Sequence, residues 1–105
     1  MRSVVKLQIV YEDPTLLPKG LNEIRKSLEN SGCSMTVAPS WLVAACRNSL
    51  VKVAVVLPEG SLSFPPPRGS LVVLLEGEPE DLVRLSGLIL SVGRSSGGGV
   101  LLSET

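Results

Sequence analysis

The sequence predicts one two-layer α+β domain over residues 1–105, a mostly antiparallel sheet with two helices on one face. Two segments carry apolar residues at helical spacing, and several others alternate or are apolar throughout, as strands do. The chain is 44% hydrophobic and 19% charged, so we expect it to fold and to bury its own core.

The first strand and the first helix are indicated by their periodicity. Residues 4–11 alternate between apolar and polar side chains, as in a half-buried strand. A helix is then indicated by the apolar series Leu17, Leu21, Ile24 and Leu28. Gly32 is available for the left-handed position that ends many helices, so we expect the first helix to stop there.

The middle of the chain predicts a hairpin. A short strand is expected over 33–38, and the segment 41–46 fits either a short helix capped by Ser40 or a second strand. We favour the strand, because the segment is short and leads directly into the β-branched strand expected over 50–57. On this interpretation we expect Trp41 to pack in the core, with a protruding contact residue as the alternative.

The second half of the chain predicts a loop, a strand, a helix and a closing strand. Residues 61–69 contain three consecutive prolines and predict a stiff loop. A strand over 70–76 leads into an acidic, proline-containing turn that is typical of a helix start. We expect the helix to end at Gly93, residues 94–99 to form a flexible loop, and residues 100–102 to form the last strand.

In chain order these elements are β-α-β-β-(β)-α-β, which is the ferredoxin-like plan with one additional strand. The segment from Ser70 to Val92, a strand, an acidic turn and an amphipathic helix, is similar to the second half of ACT-like small regulatory domains. The resemblance covers under a quarter of the chain, and it implies a small-ligand-sensing regulatory domain as an alternative function.

Two predicted strands, over 53–57 and 71–75, are apolar at every position instead of at alternate ones. A strand that faces water on one side should alternate, so these two are predicted to be covered on both faces. Two helices cover one face, and we expect a second copy of the chain or another subunit to cover the other. The candidate interface residues are Val53, Ala54, Val55, Val56, Leu71, Val72, Val73 and Leu74. Periodicity alone does not say which alternate set faces the helices.

Catalysis is not indicated. The chain has no histidine, which removes the commonest general base and metal ligand, and it carries no catalytic motif. The acidic residues between 76 and 81 stand where a helix N-terminus favours negative charge. We therefore expect a non-catalytic protein with no cofactor and no metal site.

The two cysteines, Cys33 and Cys46, have neither zinc-site nor C-x-x-C spacing. We expect them to be small, buried, apolar residues, and the sequence implies no disulfide framework. No apolar run is long enough for a membrane helix, and the first residues resemble a strand more than a signal peptide. A cytoplasmic location, with no membrane partner, is the resulting expectation.

Two further binding hypotheses are weighed against self-assembly. The candidate ligand residues of the small-ligand alternative are Arg94, Ser95, Ser96 and Gly97. A phosphate cradle precedes a helix, whereas this segment follows one, so we favour a flexible connection. The ten basic and ten acidic residues cancel, which argues against a nucleic-acid partner, although a patch containing Arg25, Lys26 or Arg47 is kept as a third hypothesis.

Overall fold

The structure, a computed structural model, describes residues 2–56 and 69–103. It contains, in chain order, β1 (Ser3–Tyr11), α1 (Leu17–Asn30), β2 (Ser34–Ala38), β3 (Trp41–Ala45), β4 (Ser49–Val56), β5 (Gly69–Gly77), α2 (Pro79–Ser95) and β6 (Gly99–Ser103). A short 3-10 turn over Pro14–Leu16 joins β1 to α1. The proline-rich loop predicted over 61–69 lies outside the described residues except for Gly69, which begins β5.

The strands form one antiparallel sheet in the order β2-β3-β4-β5-β1-β6. The α+β class, the antiparallel sheet and the two helices are therefore confirmed. The segment 41–46 is a strand in the structure, as we favoured, and pairs with β2 and β4. β5 lies inside the sheet, where Val73 is opposite Val53 of β4 and Leu7 of β1.

One face of the sheet, here called the covered face, packs with both helices in a single core. Its fully buried strand residues are Leu7, Ile9, Tyr11, Leu42, Ala44, Val51, Val53, Leu71, Val73 and Leu75. The Tyr11 hydroxyl and the Ser96 hydroxyl share a buried hydrogen bond of 2.6 Å. Burial raises the pKa of Tyr11 above its ordinary value, because the phenolate would be desolvated.

Helix α1 ends as predicted. Gly32 has a φ of +86°, and its N–H donates to the Glu29 carbonyl at 3.0 Å. The N–H of Cys33 donates to the Leu28 carbonyl at 3.1 Å, which completes a Schellman motif. The chain therefore turns sharply out of α1 and enters β2 directly.

Helix α2 runs further than predicted. The expectation that Gly93 ends it is wrong, because the left-handed residue is Gly97, with a φ of +95°, one turn later. Arg94 and Ser95 thus belong to the helix and not to a loop. Gly93 instead lets α2 approach the sheet, since a Cβ there would stand 3.0 Å from Ile9 Cδ1.

Gly87, in the middle of α2, has a different environment. A glycine inside a helix has two simple explanations, close packing of the helix on the sheet or tolerance of the lower helix propensity. The residue is exposed, and a Cβ built on it would meet open space. The packing explanation is therefore wrong for the described residues.

The sequence implied no disulfide framework, but Cys33 and Cys46 form a disulfide. The two-residue turn between β2 and β3 pairs Ala38 with Trp41 and Ser34 with Ala45. The next opposed positions are the two cysteines, whose Cα atoms are 4.3 Å apart, close to the spacing of a non-hydrogen-bonded antiparallel pair. Motif spacing missed the bond because the hairpin register, not a metal or redox motif, brings these residues together.

Candidate functional site

The second face of the sheet carries the alternate side chains of the same strands and is not covered by the described helices. We call it the open face. Its members on β1, β3, β4 and β5 are Val4, Lys6, Gln8, Val10, Trp41, Val43, Ala45, Leu50, Lys52, Ala54, Val56, Ser70, Val72, Leu74 and Glu76. Most of these side chains are apolar, so the face is the strongest candidate for a functional surface.

Several large apolar residues of the open face are well exposed. Val4 is 54% exposed, Val56 is 46% exposed and Trp41 is 41% exposed. The expectation that Trp41 packs in the core is therefore wrong. Leu42 and Ala44 are the buried residues of β3, and strand alternation places Trp41 on the opposite side of the sheet.

The structure divides the eight predicted interface residues between the two faces. Ala54, Val56, Val72 and Leu74 lie on the open face, where they are exposed or half-buried. Val53, Leu71 and Val73 are buried in the core under the helices, and Val55 is half-buried against it. Only the first four are available to a partner, so the predicted set is brought together only in part.

The residues of the open face form rows across the sheet. One row runs through Trp41, Ala54, Val72 and Gln8, and the next runs through Val43, Lys52, Leu74 and Lys6. Polar groups occupy defined places in this pattern. Gln8 Nε2 donates to Ser70 Oγ at 3.3 Å, and Arg2 Nε lies 3.6 Å from Glu76 Oε1.

An open cleft of about 890 Å³ lies at the end of the molecule that carries the disulfide. Its lining residues come from the end of α1, the β3–β4 turn and the first turns of α2: Ser31, Gly32, Ala45, Cys46, Arg47, Asn48, Asp81 and Arg84. Asp81 accepts hydrogen bonds from Ser49 Oγ at 2.6 Å and from Arg84 Nη2 at 2.8 Å. The hydrogen bond from the Ser49 hydroxyl, and to a smaller extent the one from Arg84, holds the pKa of Asp81 below its ordinary value.

The acidic residues of the α2 start do not gather around a common point. Glu80 and Asp81 lie in the first turn of the helix, where the helix dipole favours them. Within residues 2–56 and 69–103, no three histidine, cysteine or acidic side chains are close enough together to hold a metal ion.

The candidate ligand residues of the C-terminal segment have separate roles. Arg94 and Ser95 are exposed in the last turn of α2, and Gly97 ends the helix. Ser96 is buried, and its hydroxyl bonds to the Tyr11 hydroxyl and donates to the Gly93 carbonyl at 3.0 Å. The hydrogen bond between the Ser96 and Tyr11 hydroxyls therefore connects the end of α2 to β1.

The comparisons with known proteins give no functional lead. A scan against models of protein families finds no match for this chain, and a search of curated proteins finds no significantly similar sequence. Among the described helices, none combines the length and apolar character needed to cross a membrane.

The sequence analysis did not predict the disulfide or the exposure of Trp41, although both follow from the register in which β2 pairs with β3. With a two-residue turn at Pro39 and Ser40, every residue of β3 has a known partner in β2 and a known face. Because Leu42 and Ala44 are buried on the covered face, alternation along β3 then places the Trp41 side chain on the open face.

Proposed function

We propose that the chain is a non-catalytic assembly domain that forms a homodimer through its open face. The observation that carries the proposal is the exposure of Val4, Trp41 and Val56 on a single face whose centre, Val72 and Leu74, is also apolar. Exposed apolar area costs free energy in proportion to its size, and a contiguous patch of this kind is typical of an interaction surface.

The dimensions of the open face suit a dimer of moderate affinity. Strands about 4.8 Å apart with a rise of about 3.4 Å per residue give the six-stranded face an area of roughly 600 Å² in projection. Two copies placed face to face would bury roughly 1,200 Å² in total, the lower end of the range for specific interfaces. We therefore expect a dimer that dissociates on dilution.

A second copy is the favoured partner because the open face is complementary to itself. In the proposed dimer, a two-fold axis runs between the two open faces, parallel to both sheets and perpendicular to the strands. It lies over the row formed by Leu7, Val73 and Val53. Each open-face residue would then face, in the second copy, the residue of the same strand that lies equally far from this row on its other side. The facing pairs would be Leu74 with Val72, Lys6 with Gln8, Lys52 with Ala54, Glu76 with Ser70, Val4 with Val10, Leu50 with Val56, and Trp41 with Val43.

Four of these seven pairs oppose an apolar residue to an apolar residue, and no pair opposes two like charges. Lys6 would meet the Gln8 amide, whose oxygen can accept a hydrogen bond. Lys52 would meet the small side chain of Ala54, and Glu76 already has Arg2 within 3.6 Å in its own chain. Like charges placed opposite each other would oppose association, which makes their separation a requirement of any symmetric interface. The self-complementarity supports a homodimer over a complex with a different subunit.

The ferredoxin-like plan, the ligand-sensing function and the cytoplasmic location also remain proposals. The ferredoxin-like plan, with β2 and β3 as an added hairpin, is supported by the contiguous order β6-β1-β5-β4 within the sheet. The ligand-sensing alternative is weakened because the Ser96 hydroxyl is already bonded. The cytoplasm also remains a prediction, and the disulfide removes one reason for it, since lasting disulfides are rare in that compartment.

The test is the molecular mass of a variant with two added charges on the open face, Val56→Asp with Val72→Asp. The wild type should show twice the chain mass of 11.1 kDa at high concentration, and the variant should stay at 11.1 kDa. Light scattering across a concentration series measures both. A charge buried without a partner costs several kcal/mol, and the dimer would bury four of them, two from each copy.

The matched control is Val83→Asp. Val83 is 75% exposed on α2, away from the open face, so it adds the same charge to an apolar surface position without touching the proposed interface. This control should dimerise as the wild type does. A double variant that keeps the wild-type mass would refute the open face as the interface, as would a wild type that is monomeric throughout.

A further inference from the structure

The disulfide closes the base of the hairpin formed by β2 and β3, at one end of the sheet. In the described part of the chain, β2 pairs with β3 alone. None of its five side chains is fully buried, and Ser34, Thr36 and Val37 are exposed. Edge strands with few buried contacts open most readily. The Cys33–Cys46 bond is therefore a main tie between β2 and the rest of the sheet.

The two sulfur atoms belong to residues of different accessibility. Cys33 is 8% exposed and lies in the core, whereas Cys46 is half-buried and lines the open cleft. The same cleft is lined by Arg47 and Arg84, with Asp81 as its one acidic residue, so cations outnumber anions around Cys46. A thiolate reagent is anionic, so the cleft favours its approach to Cys46.

We propose that Cys33–Cys46 is a thiol-exchange site through which a dithiol regulates the homodimer, an inference that rests on the proposed function above. One thiolate of the dithiol attacks Cys46 Sγ, the sulfur–sulfur bond breaks, and Cys33 leaves as a thiolate. The second thiol of the reagent then attacks the mixed disulfide and releases Cys46. The dithiol is oxidised to its own disulfide, and its two protons pass to the two cysteines.

Opening the bond acts on the open face through β3. Trp41 and Val43 lie on that face, and β2 is the neighbour that holds their strand on its outer side. Leu42 and Ala44 stay buried and β3 stays paired with β4, but once β2 is mobile the side chains of Trp41 and Val43 lose the neighbouring strand that fixes them on their outer side. We expect the dissociation constant of the dimer to rise about tenfold or more, the effect of losing one well-placed interface residue.

The experiment compares the oxidised chain with the chain treated with dithiothreitol, without denaturant. Free thiols are counted with a thiol-reactive dye, the dissociation constant is obtained by sedimentation equilibrium, and amide hydrogen exchange is followed in β2 and β5. We expect two thiols per chain, weaker dimerisation, faster exchange in β2 and unchanged protection in β5. Cys33→Ser with Cys46→Ser should reproduce the reduced state without a reductant.

The outcomes separate this inference from the homodimer proposal. An oxidised chain that is monomeric at every concentration refutes the homodimer, and the regulation falls with it. An oxidised dimer whose dissociation constant is unchanged after two thiols are released overturns the regulation alone. A bond that resists dithiothreitol, or a loss of protection in β5 on reduction, also overturns it, because the disulfide would then be a brace for the whole fold.

Discussion

The two faces of the sheet are built from neighbouring residues of the same strands, yet they have opposite environments. On β5, Leu75 is fully buried under the helices, whereas Leu74, the next residue, is half-buried on the open face. Both residues are leucine, and only the alternation of the strand distinguishes them. The comparison shows that packing on the helices explains the apolar character of the covered face, while the described helices do not cover the open face, which is why we propose a dimer.

The largest expected effect is on the free energy of unfolding, and it comes from comparing the same substitution, leucine to alanine, at one residue of each face. Leu75→Ala should lower the free energy of unfolding by about 2–5 kcal/mol, because it leaves a cavity in the core. Leu74→Ala should cost the monomer about 1 kcal/mol or less but should weaken the dimer. Urea denaturation of dilute protein measures the first quantity, and sedimentation equilibrium measures the second. Equal losses of stability at low concentration would break the distinction between the faces.

A second comparison uses the two glycines of α2 that differ in the side they face. Gly87→Ala should raise the free energy of unfolding by about 0.5–1 kcal/mol, because alanine is the better helix former and the site is open. Gly93→Ala should lower it by about 1 kcal/mol, since the added methyl meets Ile9 in a filled core. Thermal unfolding of both variants checks the signs. A stabilising Gly93→Ala would show that α2 is not closely packed on the covered face.

The smallest expected effect concerns Asp81, which joins α2 to the start of β4 at the edge of the covered face. The folded state lowers the pKa of Asp81, so its contribution to stability is present above the unfolded pKa, near 4, and is lost as the pH falls through the folded value. Asp81→Asn should therefore cost about 1 kcal/mol or less at pH 7 and less than that at pH 2.

The check is the urea midpoint of wild type and Asp81→Asn at both pH values. Glu80→Gln is the matched control, since Glu80 is an exposed carboxylate in the first turn of the same helix and its substitution leaves the hydrogen bonds of Asp81 in place. A difference at Asp81 that is the same at pH 7 and pH 2 would contradict the ionic origin of the contribution.

Most of the fold could be predicted from periodicity and from residues with special backbone preferences. The alternation of residues 4–11 correctly placed Leu7 and Ile9 in the core, and Gly32 correctly marked the end of α1. The end of α2 was misplaced because two glycines, Gly93 and Gly97, could each end a helix. Only the contact of Gly93 with Ile9 distinguishes them, and that contact is tertiary.

The sequence predicted an apolar sheet face that two helices would leave uncovered, but it did not predict which residues lie on that face. In strands that are apolar at every position, such as β5, no alternation reveals which side faces the helices, so Val72 and Val73 could not be told apart. The positions of Trp41 and of the disulfide depended on the register of a hairpin whose existence was itself uncertain from the sequence. Register is a long-range property, set by the turn and by the buried face together.

The most direct test of the central claim uses Trp41, the single tryptophan of the chain, which lies on the open face. Its fluorescence emission is recorded across a dilution series, with the mass measured by light scattering at each concentration. We predict that the emission shifts to longer wavelength as the mass falls from twice 11.1 kDa to 11.1 kDa, because dissociation exposes the indole to water. A dimer that dissociates without any change in Trp41 emission, or a chain of 11.1 kDa at every concentration, would contradict the claim.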